Sequence, residues 1–443
     1  MHRPVTSVTR RGAARLCATM GAVGRLWRKR GAARADKKGQ GLRRTAIALL
    51  RLLAFVAGIV VVAGTLASAI RSFVVPRGVP NRLAGAVFIA VRQLFALWTR
   101  RLDSYEERDR AMVLYAPFSL LALPVVWLTL VLVGYTLTYW ALDLSSWQAA
   151  FEASGSSLFT LGFARIDGLP SILIFSEAAI GLTLAALLIA YLPTMYAAFA
   201  RRETAVTLLE VRAGSPPSAV KMIARLHRVG QLERLGDIWR TWEVWFADIE
   251  ESHTSLAALA FYRSPQPDRS WVTAAGAVLD CAALVSSALD RPRDPEAELC
   301  LRAGYLALSR IADLFNVDYD PDPHFPDVPI SVTRAEFDRA CDTLSRVGVA
   351  MKADRKKAWR DFAGWRVNYD VPLLALADLT MPPYAPWSSD RAYRRRPPFN
   401  IFAHKKSPMR QAREAQRRQP LSVPDPEEAQ LMPGASDAWR VTR

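Results

Sequence analysis

Five consecutive residues in the first half of the chain, Thr160, Leu161, Gly162, Phe163 and Ala164, stand where they could act on a solute. They lie in the stretch SSLFTLGFARID, with Glu152 before it and Arg165, Asp167 and Glu177 after it. The run is too short and too broken to span a bilayer, and too apolar for an ordinary exposed loop. Irregular backbone of this kind is tolerated at membrane depth only where it is buried in protein or lines a water-filled cavity. Glu177 opens an apolar segment, and an acid in such a segment is functional by default. It reads equally as a pore-lining charge and as a solvated cap or partner for Arg165. The rest of the chain offers weaker chemistry. His227, His253 and His324 stand apart with no H-E-x-x-H, and no Ser/His/Asp or Cys/His spacing is present. Cys17, Cys281, Cys300 and Cys341 form no C-x-x-C, which fits a reduced compartment without a structural metal. Asp318, Asp320 and Asp322 have the spacing of a calcium loop but lack its glycine and closing glutamate, so they read as an acidic Pro-rich linker. The reading is of a protein that is not an enzyme and holds no cofactor.

The elements that would position residues 160–164 are long apolar runs. Residues 52–70, 111–142 and 178–200 are free of charge and long enough to cross a hydrocarbon core of ~30 Å at ~1.5 Å per residue. Pro117 and Pro124 are expected to kink the second of these. Residues 83–99 form a weaker candidate, interrupted by Arg92; a lone arginine reads as snorkelling or ion-paired, because a voltage sensor carries several at regular spacing. Residues 1–44 hold 13 Lys and Arg against the single acid Asp36, which places the N-terminus in the cytoplasm. Arg201 and Arg202, with the long region after them, are expected there too, so the crossings should be even in number. Counting 83–99 gives four; an interfacial helix at 83–99, leaving three, is the alternative. Four crossings put Arg71, Arg77 and Arg82 on the outer side, against the usual bias. The segment 143–177 then lies outside, with Ser145 or Ser146 capping a short helix over 147–159 and Asp-Gly-Leu-Pro forming a turn.

Residues 111–200 resemble the two-helix-plus-pore-loop unit of potassium-channel-like proteins. SSLFTLGFARI is similar to that family's filter signature T-L-T-T-V-G-Y-G-D-I, with Thr160 to Ala164 falling on T-V-G-Y-G. FSEAAIGLTLAALLIAYL is similar to the inner helix of bacterial members, with Gly181 near the place of a bending glycine. The resemblance implies a selectivity filter at residues 160–164, where successive carbonyls and a threonine hydroxyl replace an ion's hydration shell, one ring from each subunit of a homotetramer. It also implies a pore helix whose C-terminal partial negative charge favours a cation. Three positions depart from the family: Ala164 for the second glycine, Arg165 for the acid that follows, and Ser156 where some relatives carry a buried carboxylate. In the left-handed conformation Ala164 would cost of order 1 kcal/mol. A channel-like scaffold without support for potassium selectivity is therefore expected, with Arg165, Asp167, Glu152 and Glu177 as mouth charges. ADIEESHTSLAALAFYRSPQPDRSWVTAAGAVLDCAALV is similar to regions of bacterial ion-channel-like membrane proteins, a resemblance that brings no mechanism.

From residue 203 to about 359 the apolar spacing is helical, and Trp239, Trp242, Trp245, Trp359 and Trp365 read as core anchors. Thr333 and Glu336 have capping-box spacing, opening one helix that is expected to run through Phe362. No Gly-rich strand-to-helix fingerprint of a dinucleotide-binding domain is present. Residues 391–418 hold 10 Lys and Arg against Glu414. Basicity is thus concentrated in two tails, which points to membrane topology and lipid surface rather than to nucleic acid. The start of the chain, with TRRGAARLCATM, reads as a basic tail and not as a signal. The expected organisation is a disordered tail (1–44), membrane helices and linker (45–110), a pore-like domain (111–202), a cytoplasmic helical domain (203–383) and a second disordered tail (384–443). The whole is an all-α, multi-pass protein of the inner, plasma membrane, about four transmembrane helices with a re-entrant loop, both termini cytoplasmic. The expected function is a tetrameric channel for a monovalent ion, gated or coupled through the helical domain. The alternative is a non-conducting scaffold that binds a cytoplasmic protein partner.

Overall fold

The computed structural model describes residues 43–73, 81–99, 105–142, 146–164 and 170–391. The tails expected before 43 and after 391 fall outside these. All the described secondary structure is helical, apart from one isolated bridge between Leu289 and Met351. The helices are α1 Arg43–Phe73, α2 Arg82–Thr99, α3 Tyr105–Val113, α4 Tyr115–Ala141, α5 Trp147–Leu158 and α6 Ser171–Ala213, followed by α7 Ala219–Arg228, α8 Leu235–Ser255, α9 Trp271–Ser287, α10 Pro295–Leu314, α11 Arg334–Arg346 and α12 Arg355–Thr380. Four helices are long and apolar enough to cross a membrane: Arg43–Phe73, Arg82–Thr99, Asp109–Ala141 and Ser171–Ala213. The chain has the makeup of a multi-pass membrane protein. Pro117 explains the turn at Leu114 between α3 and α4, since proline has no N–H to offer the carbonyl of Val113. Pro124 and Pro193 lie inside α4 and α6, which continue past them.

The chain divides into two compact units, Met1–Thr65 with Leu128–Thr183, and Leu66–Trp127 with Leu184–Arg443. In the first unit α1 packs on α4 through small residues. A side chain on Gly58 would fall 2.5 Å from the carbonyl oxygen of Gly134 and 2.4 Å from the Thr138 hydroxyl, and one on Gly134 would fall 2.7 Å from Val62. Residue numbers rise along α1 as they fall along α4, so the two helices are antiparallel.

The second unit contains the continuous helical core. Trp239, Phe246, Trp271, Leu279, Leu308, Phe337 and Phe362 form its buried centre. Trp242 and Trp245 are buried with them, while Trp359 and Trp365 pack partly buried against it. The charges inside are paired, as low dielectric requires. Arg366 donates to Asp280 Oδ1 at 2.5 Å, to Asp370 Oδ1 at 2.7 Å and to the Trp387 carbonyl at 2.6 Å. Tyr369 adds a hydroxyl bond to Asp280 at 2.9 Å. The last turns of α6 are tied into this unit by Arg202, which is fully buried. Its guanidinium donates to Glu203, to His253 Nε2 and to the carbonyls of Leu259 and Tyr262, all within 3.2 Å. Arg201 beside it is exposed and meets Asp248 at 3.3 Å.

Two expectations are corrected here. The single helix expected from Thr333 through Phe362 is two: α11 stops at Arg346, Gly348 turns the chain with φ +91°, and Asp354 caps α12 by accepting from the N–H groups of Lys356 and Lys357. The capping box at Thr333 and Glu336 is present. The tail expected to be disordered from 384 is packed as far as Arg391, with Ala385 and Ser388 buried. Arg391 holds it there by bonding the Glu336 carboxylate and the Ser331 carbonyl, and its guanidinium draws the Glu336 carboxyl down to about 2.

Candidate functional site

Residues 160–164 sit in the first unit, on the end of α5. That helix begins where Ser146 takes extended backbone and its hydroxyl accepts the N–H of Ala149 at 3.1 Å, an N-cap that satisfies one orphan donor. Ser145 lies outside the described residues. The helix ends at Leu158 because Thr160, with φ +54°, leaves helical space. A β-branched residue in this conformation is an outlier, held by its surroundings. Gly162 is left-handed as well, at φ +70°. The left-handed geometry that would strain Ala164 is not adopted there; it falls on Thr160 and Gly162.

One serine fastens the irregular segment that follows. The carbonyl of Ser156 accepts the N–H of Leu161 at 2.8 Å and that of Gly162 at 3.4 Å, and the Ser156 hydroxyl accepts the N–H of Ala164 at 3.1 Å. Among the described residues nothing donates to the carbonyls of Leu161, Gly162 or Phe163. The apolar side chains point away from the chain's own core: Phe159 is 52% exposed, Leu161 64% and Phe163 66%.

Glu177 anchors the back of α5. The residue is 0% exposed, with the Tyr139 hydroxyl donating to Oε2 at 2.7 Å and the Ser154 hydroxyl to Oε1 at 2.5 Å. Ser157 donates to the carbonyl of Ile174 at 2.8 Å, and Tyr135 donates to Ser176 at 2.8 Å. This burial fits neither a solvated cap nor a charge that faces water in a pore; within the chain Glu177 is an interior anchor. Gly181 lies in the interior of α6, where a side chain would fall 2.2 Å from the Leu158 carbonyl oxygen. The glycine lets the C-terminal end of α5 rest directly on α6.

Compared with family models, curated proteins and solved structures, the chain matches none.

The structure therefore brings together Thr160, Leu161, Gly162, Phe163, Ala164, Glu177 and Gly181 around α5. Glu152 is not part of this group; it is exposed and accepts from Gln148 at 2.9 Å along its own helix. Arg165 and Asp167 lie outside the described residues. Sequence reasoning missed the partners Tyr139 and Ser154. The run of small residues Ala150, Ala153, Ser154 and Ser157, all on the buried face of α5, is the signal that could have found them.

Proposed function

We propose that this chain is one subunit of a homotetrameric ion channel, with α4 as outer helix, α5 as a re-entrant pore helix, α6 as inner helix and residues 160–164 as the filter-like strand. The observation that carries this reading is the polarity of the strand. The N–H groups of Leu161, Gly162 and Ala164 are bonded inward to Ser156, while among the described residues nothing donates to the carbonyls of Leu161, Gly162 and Phe163. Backbone carbonyls taken out of bulk water need partners, and a partly dehydrated cation is a partner that several carbonyl oxygens can coordinate at once. The C-terminal end of α5 points the negative end of its dipole to the same region. The permeant ion is a monovalent cation, with selectivity set by Ala164 and by the arginine that follows it. The helical core of the second unit, into which α6 continues, gates the pore or receives a partner from the cytoplasm.

The second reading is a membrane scaffold that keeps a pore-like fold without conducting. It is favoured by Ala164 and Arg165, which replace the glycine and acid of the resembling family. Ion flux separates the two. The full chain is reconstituted in liposomes, and potassium, sodium and chloride gradients are tested separately beside Gly162→Asp. A side chain at Gly162 meets no atom within 4 Å, so this variant disturbs the strand's left-handed backbone rather than the packing. Cation flux that the variant abolishes is the expected result. A folded tetramer that passes no ion would replace the channel by the scaffold.

A further inference from the structure

We infer that residues Leu256–Arg263 form a clip by which the helical core sets the spacing of α4 and α6, at the end where α4 begins and the apolar part of α6 stops. The clip stands on its own contacts, all within the second compact unit. Its effect on ion flow rests on the channel reading.

The segment is apolar and irregular. From Thr254 to Tyr262 the sequence TSLAALAFY carries no charge. Its centre, Ala257–Phe261, is a 3-10 turn between α8 and α9. Ala258, Leu259 and Tyr262 are buried in one apolar cluster with Ala116 and Leu120 of α4 and Met195 and Ala198 of α6. Those four partners stand inside charge-free sequence. Ala116 and Leu120 follow Arg110 by six and ten residues, ~9 and ~15 Å along a helix. Met195 and Ala198 precede Arg201 by six and three residues, ~9 and ~4.5 Å. The core thus reaches into the apolar level of both helices instead of resting on their charged ends.

Irregular backbone is tolerated at such a level only where it is buried and its polar groups are bonded. That condition accounts for two buried side chains. Arg202 of α6 donates to the carbonyls of Leu259 and Tyr262 at 2.8 Å each, and Trp271 of α9 donates through Nε1 to the Ala260 carbonyl at 3.1 Å. The side chains of the turn bear on different helices. Tyr262 meets the ring of Phe199 on α6, with centroids 5.7 Å apart. Phe261 meets Tyr115 on α4 at 5.8 Å and Phe315, which follows α10, at 5.4 Å. Arg263 closes the clip. It pairs with Asp109 of α3, just before α4, and donates to the carbonyls of Thr380 and Met381 at the end of α12, at 3.1 and 3.0 Å.

One arginine therefore ties the segment to α6 and another ties it to the approach to α4, while Trp271, Phe315 and the end of α12 tie it to the core. A displacement of the core is passed to both helices at once, because close-packed interiors transmit it. On the channel reading α4 is the outer helix and α6 the inner one. Held to α4, the end of α6 is kept back from the pore axis, so the clip favours the open state.

The test reads a distance and then a current, both on the full chain in liposomes. Spin labels are placed at Leu121→Cys on α4 and Ala200→Cys on α6, two exposed positions, in a Cys17→Ser background; Cys281, Cys300 and Cys341 are buried. Labelled chain is diluted with unlabelled chain so that the distance is read within one copy. Tyr262→Ala removes the ring contact with α6, and Asp109→Ala removes the tie to α3 from outside the helical core. Each should lengthen and broaden the narrow wild-type distance, while Arg263→Lys, which keeps the ion pair, should stay near wild type. Hydrogen exchange in α9 reports whether the core is folded; where Tyr262→Ala loosens it, Asp109→Ala carries the test. An unchanged distance in Asp109→Ala overturns the clip. In the same liposomes Asp109→Ala should lower the open fraction at least about fivefold, the lower end of an allosteric coupling, with unitary conductance unchanged. A rise, or no change, overturns the coupling to the pore. A wild-type chain that passes no ion, while the distances respond as expected, upholds the clip and removes the channel reading instead.

Discussion

A carboxylate shut away from water keeps its place only if its oxygens find donors, and both oxygens of Glu177 do, from Tyr139 and Ser154. The three residues belong to α6, α4 and α5, so one side chain pins the short helix between its two long neighbours. Replacing Glu177 by Ala takes away the carboxylate acceptor of the buried Tyr139 hydroxyl, leaving it only the Ser157 hydroxyl, which costs up to about 3 kcal/mol. Ser154 is less affected, because the Leu132 carbonyl stands 3.0 Å from its hydroxyl. Glu177→Gln keeps an acceptor and should cost less. Thermal unfolding of both variants in detergent should rank wild type above Glu177→Gln above Glu177→Ala, and equal melting of all three would show that the carboxylate holds nothing. At this scale the sequence was half legible. An acid in an apolar run announces itself, whereas Tyr139 and Ser154, 38 and 23 residues away in the chain, are ordinary letters until the fold brings them near. The same holds for Arg202, which read as a charge closing a span and is instead buried at the centre of its network.

Helix α6 extends from the loop region into the helical core without a break, and His253 of α8 bears on its lower end. Arg202 can only donate, so the Nε2 it reaches at 3.2 Å must carry a lone pair, and the imidazole is neutral. Burial, then the Arg202 charge, push His253 well below its ordinary 6.5. The groups around it are Arg202 and Glu203 from α6, Ser252 on its own helix and the Trp271 ring of α9 at 4.7 Å. A histidine whose folded value is depressed binds fewer protons folded than unfolded. Its contribution to stability is complete above about 6.5 and is lost as the pH falls below that, by up to about 1.4 kcal/mol per pH unit. Thermal unfolding followed from about pH 7.5 to about pH 5 should therefore show a declining midpoint, with a shallower decline in His253→Gln. Parallel curves would mean that His253 protonates without opening the contact. Most elements were legible in the sequence because apolar spacing and caps are local signals, as at Ser146 and Thr333. The break between α11 and α12 was not, since Val347 and Val349 continue a plausible apolar pattern and only the φ of Gly348 ends it.

At the scale of the whole molecule, the side chains of the strand after α5 decide what must surround it. Phe159, Leu161 and Phe163 are more than half exposed in the single chain, on irregular backbone with carbonyls that nothing within the described residues bonds. Lipid can cover the phenyl rings but offers those carbonyls no donor, and each group so stranded costs several kcal/mol. Water can reach the carbonyls but leaves the rings exposed. In the proposed channel a second copy of the same surface would answer both demands, burying the rings between copies while the carbonyls faced a shared aqueous axis. In the proposed channel one such segment would supply only part of a ring of oxygens, and the assembly would close at four copies. Native mass spectrometry of the full chain released from detergent should give the mass of a tetramer. Phe163→Glu should shift it toward smaller species without lowering the melting midpoint of the helical core, whose residues lie in the other compact unit. A wild-type chain that is folded and monomeric across detergents would remove the reason for leaving those carbonyls open, and with it the pore.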